Sequence, residues 1–313
     1  MAVRAHTSKP QLPFRAPLQS PKGVLFKQIN LAKSKLASAN FSQSMISWSN
    51  CCLVAFLQEP AVTVTSQLLS VPRGAQRFVA TTRPRAAIIA TPDLALWPLP
   101  ELTFPDAVAT LWRTGDQRFP EIVLASVYAD INRPAVSPEL TAITAYCRGR
   151  NLPCLMGMDS NAHSVTWGCE RNNARGDDLE LFAINNSLST ANAGNTPTFY
   201  TGRSSSIVDI TLIHDSLTNA VEDWQVSLTD YQTDHRLISY TLLIAPPPPK
   251  MVKNYRRTDW GQTTATLHDQ CQTWVAPMTW SEQILDDEVA SFSSLLTEAM
   301  DAHTPSFIPK FRF

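Results

Sequence analysis

Short runs of apolar residues, each bounded by turn formers, recur through the middle of the chain. LVAFL (53–57), AAIIA (86–90), IVLASVY (122–128), IVDITLI (207–213) and LISYTLLI (237–244) have strand length and stay apolar instead of alternating. Hydrophobicity of that kind belongs to strands covered on both faces, as inside a layered sheet structure. Two stretches carry a helical period. Ala37, Phe41, Met45 and Trp48 recur at i, i+4, i+8 and i+11 and predict a helix over 31–48. Leu179, Phe182 and Ala183 share one face of a second helix over 175–187. Strands and helices in this order predict an α/β fold with helices packed on sheets.

Proline punctuates the pattern twice. Pro10, Pro13, Pro17 and Pro21 break residues 1–22, which read as a disordered basic tail. Ala245-Pro246-Pro247-Pro248-Pro249 is a stiff polyproline spacer. Between them, 23–244 reads as one compact unit. Beyond the spacer, Lys250, Lys253, Arg256 and Arg257 form a basic cluster. Val289, Phe292, Leu296 and Ala299 then predict a further helix, with Asp286, Asp287 and Glu288 at the positive end of its dipole. Residues 245–313 therefore read as spacer and helical linker, one half of a helical pair whose partner is missing.

Composition adds three constraints. In 313 residues, 44% apolar content supplies a sizeable core and excludes global disorder. The net charge of −1 hides a split, +7 over residues 1–58 against −8 over the remainder, which hints at a polyanionic partner. Six cysteines without metal-type spacing read as reduced, mostly buried thiols of an intracellular protein, with Cys51-Cys52 in the core. No apolar run reaches the ~18 residues that span a bilayer, and 1–22 lacks the apolar centre of a secretory signal, so no membrane partner is expected.

Chemistry is sought where polar groups end buried strands. Asn30 closes KQIN, Gln58 and Glu59 follow LVAFL, Tyr128 ends IVLASVY, and Asp159, Asn161 and His163 follow PCLMGM. Asp209 sits inside IVDITLI, and Asp234 and His235 precede the last strand. Each alone has a plain structural explanation as a turn or loop residue. Asp209 is the most informative, because a carboxylate between Val208 and Ile210 must be paired or stand at a cleft. Together they fit metal-assisted phosphodiester hydrolysis. Glu59, Asp234 and Asn30 offer oxygens to a hard divalent cation. Asp159 with Asn161 holds a water, and His235 oriented by Asp209, with the Tyr128 hydroxyl, donates to the phosphate. A Gly-rich phosphate loop, HExxH and GxSxG are all absent, and Ser164 beside His163 is a loop coincidence.

These residues, in the segments QINLAKSKLA, LVAFLQEP, LASVYADINRP, CLMGMDSNAHSVTWGCERNNARGDDLELF, TPTFYTGRSSSIVDITL and DWQVSLTDYQTDHRLIS, resemble the endonuclease/exonuclease/phosphatase superfamily. More narrowly, they resemble the apurinic-type endonuclease domain at the front of the pol protein of non-LTR retrotransposons. The resemblance covers about 23–244. It implies a four-layer α/β sandwich of two packed mixed sheets flanked by helices. It also implies Mg²⁺, with Mn²⁺ as an alternative, no small-molecule cofactor, and nicking of DNA in the nucleus to leave a 3′-hydroxyl that primes reverse transcription. It assigns Glu59 as main metal ligand beside Asn30 and Asp234, Tyr128 as a phosphate contact, Asp159 and Asn161 as the water-activating pair, and Asp209 as the group orienting His235. Ser160 replaces the usual aromatic of D-F-N, Ala61 the Tyr after QEP, and Thr233 the Ser of S-D-H. The reverse transcriptase that follows in such proteins is not in this sequence, which reads as an endonuclease module of a truncated element. A phosphatase or phosphodiesterase of the same fold acting on a small molecule or lipid, and an inactive nucleic-acid-binding remnant, are the alternatives.

Overall fold

The computed structural model describes residues 23–47, 51–246, 251–273, 275–279 and 281–307. The tail over 1–22, Trp48, Lys250 and most of the polyproline spacer lie outside the described residues. In chain order the first half contains β1 (Val24–Asn30), α1 (Lys35–Ser47), β2 (Leu53–Gln58), β3 (Gln76–Val79), β4 (Ala86–Ala90), β5 (Ala95–Phe104), β6 (Ala107–Arg113) and β7 (Glu121–Tyr128). Then come α2 (Pro138–Arg150), β8 (Cys154–Asp159), α3 (Ala174–Asn185), β9 (Leu188–Thr190), a hairpin of β10 (Phe199–Tyr200) and β11 (Ser205–Ser206), β12 (Asp209–His214), β13 (Val221–Val226) and β14 (Ile238–Leu242). A terminal unit follows: β15 (Val252–Lys253), α4 (Trp260–Cys271), α5 (Glu282–Ala302) and β16 (Ser306–Phe307).

Two six-stranded sheets, ordered β13-β14-β1-β2-β4-β3 and β5-β6-β7-β8-β12-β9, stack face to face. Both are mixed: β1–β2 and β7–β8 are parallel, the other pairs antiparallel. Phe26, Phe56, Ile88, Trp112, Leu124, Leu155 and Tyr240 fill the space between the sheets. α1 covers the outer face of the first sheet through Ala37, Phe41 and Met45, while α2 and α3 cover the second through Leu140, Ile143 and Leu179. The result is the expected four-layer sandwich, helix–sheet–sheet–helix.

Near one end the inter-sheet core turns polar. Gln28 donates across to the carbonyls of Met158 and Ile210, and Gln58 donates to Ser126 Oγ and the Gly157 carbonyl. Ser126 in turn donates to the Leu57 carbonyl at 2.9 Å. These buried bonds fix the sheets against each other immediately before Asn30 and Glu59. The approach is close, because a Cβ on Gly157 would lie 2.6 Å from the Phe56 ring.

Several expectations need correction. The β5–β6 hairpin has no counterpart among the expected strands; β5 contains Pro98 and Pro100 and is an edge strand, where proline is tolerated. β12 begins at Asp209, so that residue opens the strand and does not sit within it. The C-terminal helix has its partner in this chain, α4, and starts earlier than expected. Ser281 caps it and Glu282 occupies its first turn, leaving Asp286, Asp287 and Glu288 one turn further in. All six cysteines are free, but only Cys147 and Cys154 are buried; Cys51 is exposed and Cys52 half-buried, so neither is core. Ser164 is structural: its Oγ accepts from Thr166 N at 2.9 Å and donates to Glu180. Among the described residues no helix is long and apolar enough to cross a membrane.

Candidate functional site

Strand register gathers the chemistry at one pole. Parallel pairing sets Tyr128 at the end of β7 opposite Asp159 at the end of β8, and antiparallel pairing sets Asp159 opposite Asp209 at the start of β12. In the other sheet, Asn30 lies opposite Gln58, immediately before Glu59. His235 precedes β14, and the Thr233 hydroxyl ties its segment to the Asn30 carbonyl at 3.0 Å.

Asp209 and His235 form a dyad, with Oδ2 and Nδ1 2.8 Å apart. The start of β12 is clamped by the Thr198 hydroxyl, which accepts from Asp209 N, and by Asn192, which donates to the Asp209 carbonyl. Phe199 meets the imidazole edge-on, with centroids 5.0 Å apart. Burial disfavours the imidazolium, but the charges of Asp209, Asp159 and Glu59 outweigh it and raise His235 to about 9.

Asp159 is fully buried. Its Oδ2 accepts from Asn30 Nδ2 at 2.7 Å and its Oδ1 from the Asn161 backbone N–H at 3.3 Å. Burial and then repulsion from Asp209 push its carboxyl up to about 7. Asn161 has left-handed backbone and donates its amide to the Ala129 carbonyl at 3.1 Å. Arg175, at the start of α3, braces this loop by donating to the carbonyls of Asn161, Ser160 and Ala129. Gly176 permits that approach, since a Cβ there would collide with the His163 carbonyl.

Glu59 also has left-handed backbone (φ 44°). Its N–H donates to the Arg85 carbonyl at 2.8 Å, its carbonyl accepts from Lys33 N, and its carboxylate pairs with Lys33 Nζ at 2.9 Å. Ala32, Lys33, Glu59 and Asn161 all have positive φ at this pole. Each such residue costs on the order of 1 kcal/mol or more and persists only where surrounding contacts fix it.

The guanidinium of Arg85 lies 4.9 Å above the Tyr128 ring, held by two hydrogen bonds to Asp106 and one to Asp130, each 2.5 Å. Burial, with Glu59, Asp159 and Asp130 nearby, pushes the Tyr128 phenol up to about 12, so it stays protonated at neutral pH. Arg85 also lines a groove of about 680 Å³ with Lys33, Lys35, Arg83 and Pro60, the residue after Glu59.

Seven of the eight sequence-derived residues therefore meet in bonded or electrostatic contact. Asp234 stands apart: it is exposed, and its carbonyl accepts from Tyr200 N at 2.7 Å. Asn30 directs its amide N–H to Asp159, and its oxygen accepts from Ala32 N at 2.8 Å. The donor set suits a hard divalent cation. Ligand atoms of Asp159, Asp209 and His235 lie within 4.8 Å of one another, and Asp209 Oδ1 is buried without a hydrogen-bond partner. His235, paired with Asp209 and protonated at neutral pH, contributes charge there and not a ligand. Sequence reasoning missed Arg85, Thr198, Asn192 and the bracing role of Arg175. Their partners are remote in sequence; Arg175, beside Gly176, and Thr198, in TPTFYTG, lay in noted segments, while Arg85 and Asn192 did not.

The family described as endonuclease–reverse transcriptase matches residues 122–239. Among solved structures, the endonuclease domain of TRAS1, a telomere-specific non-LTR retrotransposon, is 28% identical. It aligns with a TM-score of 0.59 over 70% of this chain and 98% of its own. The AP endonuclease LMAP of Leishmania major is 15% identical (TM-score 0.55; 76% of this chain, 93% of that one) and shares the fold. So does the catalytic domain of APE2 from Xenopus laevis, at 13% identity (TM-score 0.51; 71% and 93%). No curated protein sequence matches the chain.

Proposed function

From the match to the endonuclease–reverse transcriptase family over 122–239 and the likeness to the TRAS1 endonuclease domain, we propose that the chain is a member of the endonuclease/exonuclease/phosphatase superfamily and a Mg²⁺-dependent DNA endonuclease that nicks one strand, as in target-site cleavage by a retrotransposon. The observation that carries this reading is the Asp209–His235 dyad facing Asp159 across a carboxylate-rich pole. Residues 23–244 form the nuclease unit in this reading, and its place of action is the nucleus, where the DNA is.

Glu59 would be the foremost metal ligand, with Mn²⁺ as a substitute ion. Asn30, whose oxygen already accepts from Ala32 N, would join it, and Asp234, exposed and apart from the cluster, could do so only by a rearrangement of its loop. The cation would neutralise charge on the scissile phosphate and on the crowded carboxylates. The residues of the chain do the rest. Asp159, oriented by Asn30 and Asn161, accepts a proton from water. The water oxygen bonds to phosphorus as the P–O3′ bond breaks. The 3′-oxygen leaves as an alkoxide and takes its proton from solvent water, and Asp159 returns the proton it accepted to solvent. His235, kept protonated by Asp209, and the neutral Tyr128 phenol donate to the non-bridging oxygens, whose charge grows in the transition state. Lys33, Lys35 and Arg83 supply phosphate contacts along the groove.

The test compares wild type with Glu59→Ala and Asp209→Ala on supercoiled plasmid, alongside phosphate release from an inositol phosphate. The proposal expects nicking by wild type only, with no phosphate release. Phosphate release without nicking would favour the small-molecule phosphatase. Binding of labelled DNA without cleavage would favour an inactive remnant.

A further inference from the structure

The terminal unit is a helical hairpin with little core of its own. The start of α4 is tied to the end of α5 by Asp259 N, which donates to the His303 carbonyl at 3.0 Å, so the helices run antiparallel. α4 has 12 residues and α5 has 21. At about 1.5 Å per residue, α5 extends roughly 13 Å beyond its partner. Where the helices overlap, the apolar stripe of α5 is covered: Ala299 is buried and Leu296 half-buried. In the overhang the same stripe is uncovered among the described residues. Leu285, Val289 and Phe292 are 51%, 58% and 52% exposed and line a groove of about 410 Å³, closed at one end by Gln270 and Cys271 of α4.

Charge identifies what fits there. Residues 258–309 contain eight Asp or Glu and no Lys or Arg. At about 100° per residue, Glu288 falls on one edge of the bare stripe, and Glu282 and Asp286 fall on the other. An apolar stripe edged by acids on both sides complements a helix whose apolar stripe is edged by Lys or Arg, as flanking charges select partners in coiled coils. A second copy of this face would set acid against acid. Nucleic acid and anionic lipid are repelled for the same reason. We propose that the overhang of α5 is a docking face for a basic amphipathic helix of another protein. This goes beyond the nuclease reading and does not depend on it.

The test titrates the full chain into a labelled 18-residue Leu/Lys helix with leucines at i, i+3, i+4 and i+7. Controls are the same composition in scrambled order and a Leu/Glu counterpart. The Leu/Lys helix should bind at least tenfold tighter than either control. Phe292→Asp and Val289→Asp, both at exposed positions, should each weaken it at least tenfold. The double variant Glu282→Lys, Asp286→Lys should reverse the preference toward the Leu/Glu helix. Equal binding of ordered and scrambled peptides, or no reversal in the double variant, would overturn the proposal. So would a chain that sediments as a dimer and becomes monomeric with Phe292→Asp, or displacement of the peptide by duplex DNA or phosphatidylserine vesicles.

Discussion

The two carboxylate oxygens of Asp209 have different fates: Oδ2 holds His235 Nδ1, and Oδ1 is buried with no hydrogen bond. The dyad has a signed effect on stability. The fold raises His235 from 6.5 to about 9, so its stabilisation is complete below pH 6.5 and is lost as pH rises through 9. Asp159, raised from 3.8 to about 7, carries a penalty that is absent below the ordinary carboxylate range and complete above 7. Both effects lower stability as pH rises. In EDTA, the melting temperature of wild type should therefore fall more steeply from pH 5 to 9 than that of Asp209→Asn, which removes the charge that raises His235 and that adds to the burial-driven rise of Asp159. Parallel slopes would contradict the dyad. Arg85 gives a second residue-scale prediction. Arg85→Met leaves Asp106 and Asp130 without their 2.5 Å partner and strips the cation from the Tyr128 ring. Because the pair is only partly buried, the loss should be about 1–3 kcal/mol in denaturant unfolding. An unchanged midpoint would show that the network contributes little.

Among elements, β8 and β2 set the distance between the sheets. Gly157→Ala drives a methyl group into the Phe56 ring. It should destabilise by about 1–3 kcal/mol as overpacking, with melting temperature as the measure. The strands that carry the site were legible in the sequence because each is apolar throughout and ends in an unexpected polar residue, as β2 does at Gln58 and β8 at Asp159. Other elements gave weaker signals. β5 hides behind Pro98 and Pro100 at a sheet edge. α2 shows few buried positions beyond Leu140, Ile143 and Cys147, and α4 buries only Thr263. The site was legible as a set of residue types but not as bonds. Nothing in the local sequence says that Asn30 points its amide at Asp159, or that Arg85 lies over Tyr128, because both contacts arise from register between strands distant in the chain.

At the scale of the whole molecule, the sheets end at Leu242, and the hairpin that follows closes on itself through β15, β16 and the tie between Asp259 and His303. A chain ending at residue 249 should retain nicking within about threefold of full length and should be more soluble, because it sheds the exposed apolar stripe. A hundredfold loss in a plasmid assay would show that the hairpin belongs to the catalytic unit. Charge is unevenly distributed as well: Lys33, Lys35, Arg83 and Arg85 line the groove beside the site, whereas the stretch 258–309, which follows the basic cluster Lys253, Arg256 and Arg257, has eight Asp or Glu and no Lys or Arg. The most direct test of the central claim is the rate of conversion of supercoiled to open-circular plasmid by wild type and Glu59→Gln, in Mg²⁺ and in EDTA, with the nick ends probed by polymerase extension. The account predicts extendable 3′-hydroxyl ends in Mg²⁺ only, and a rate at least a hundredfold lower for Glu59→Gln. Equal rates for the two proteins, or undiminished nicking in EDTA, would contradict it.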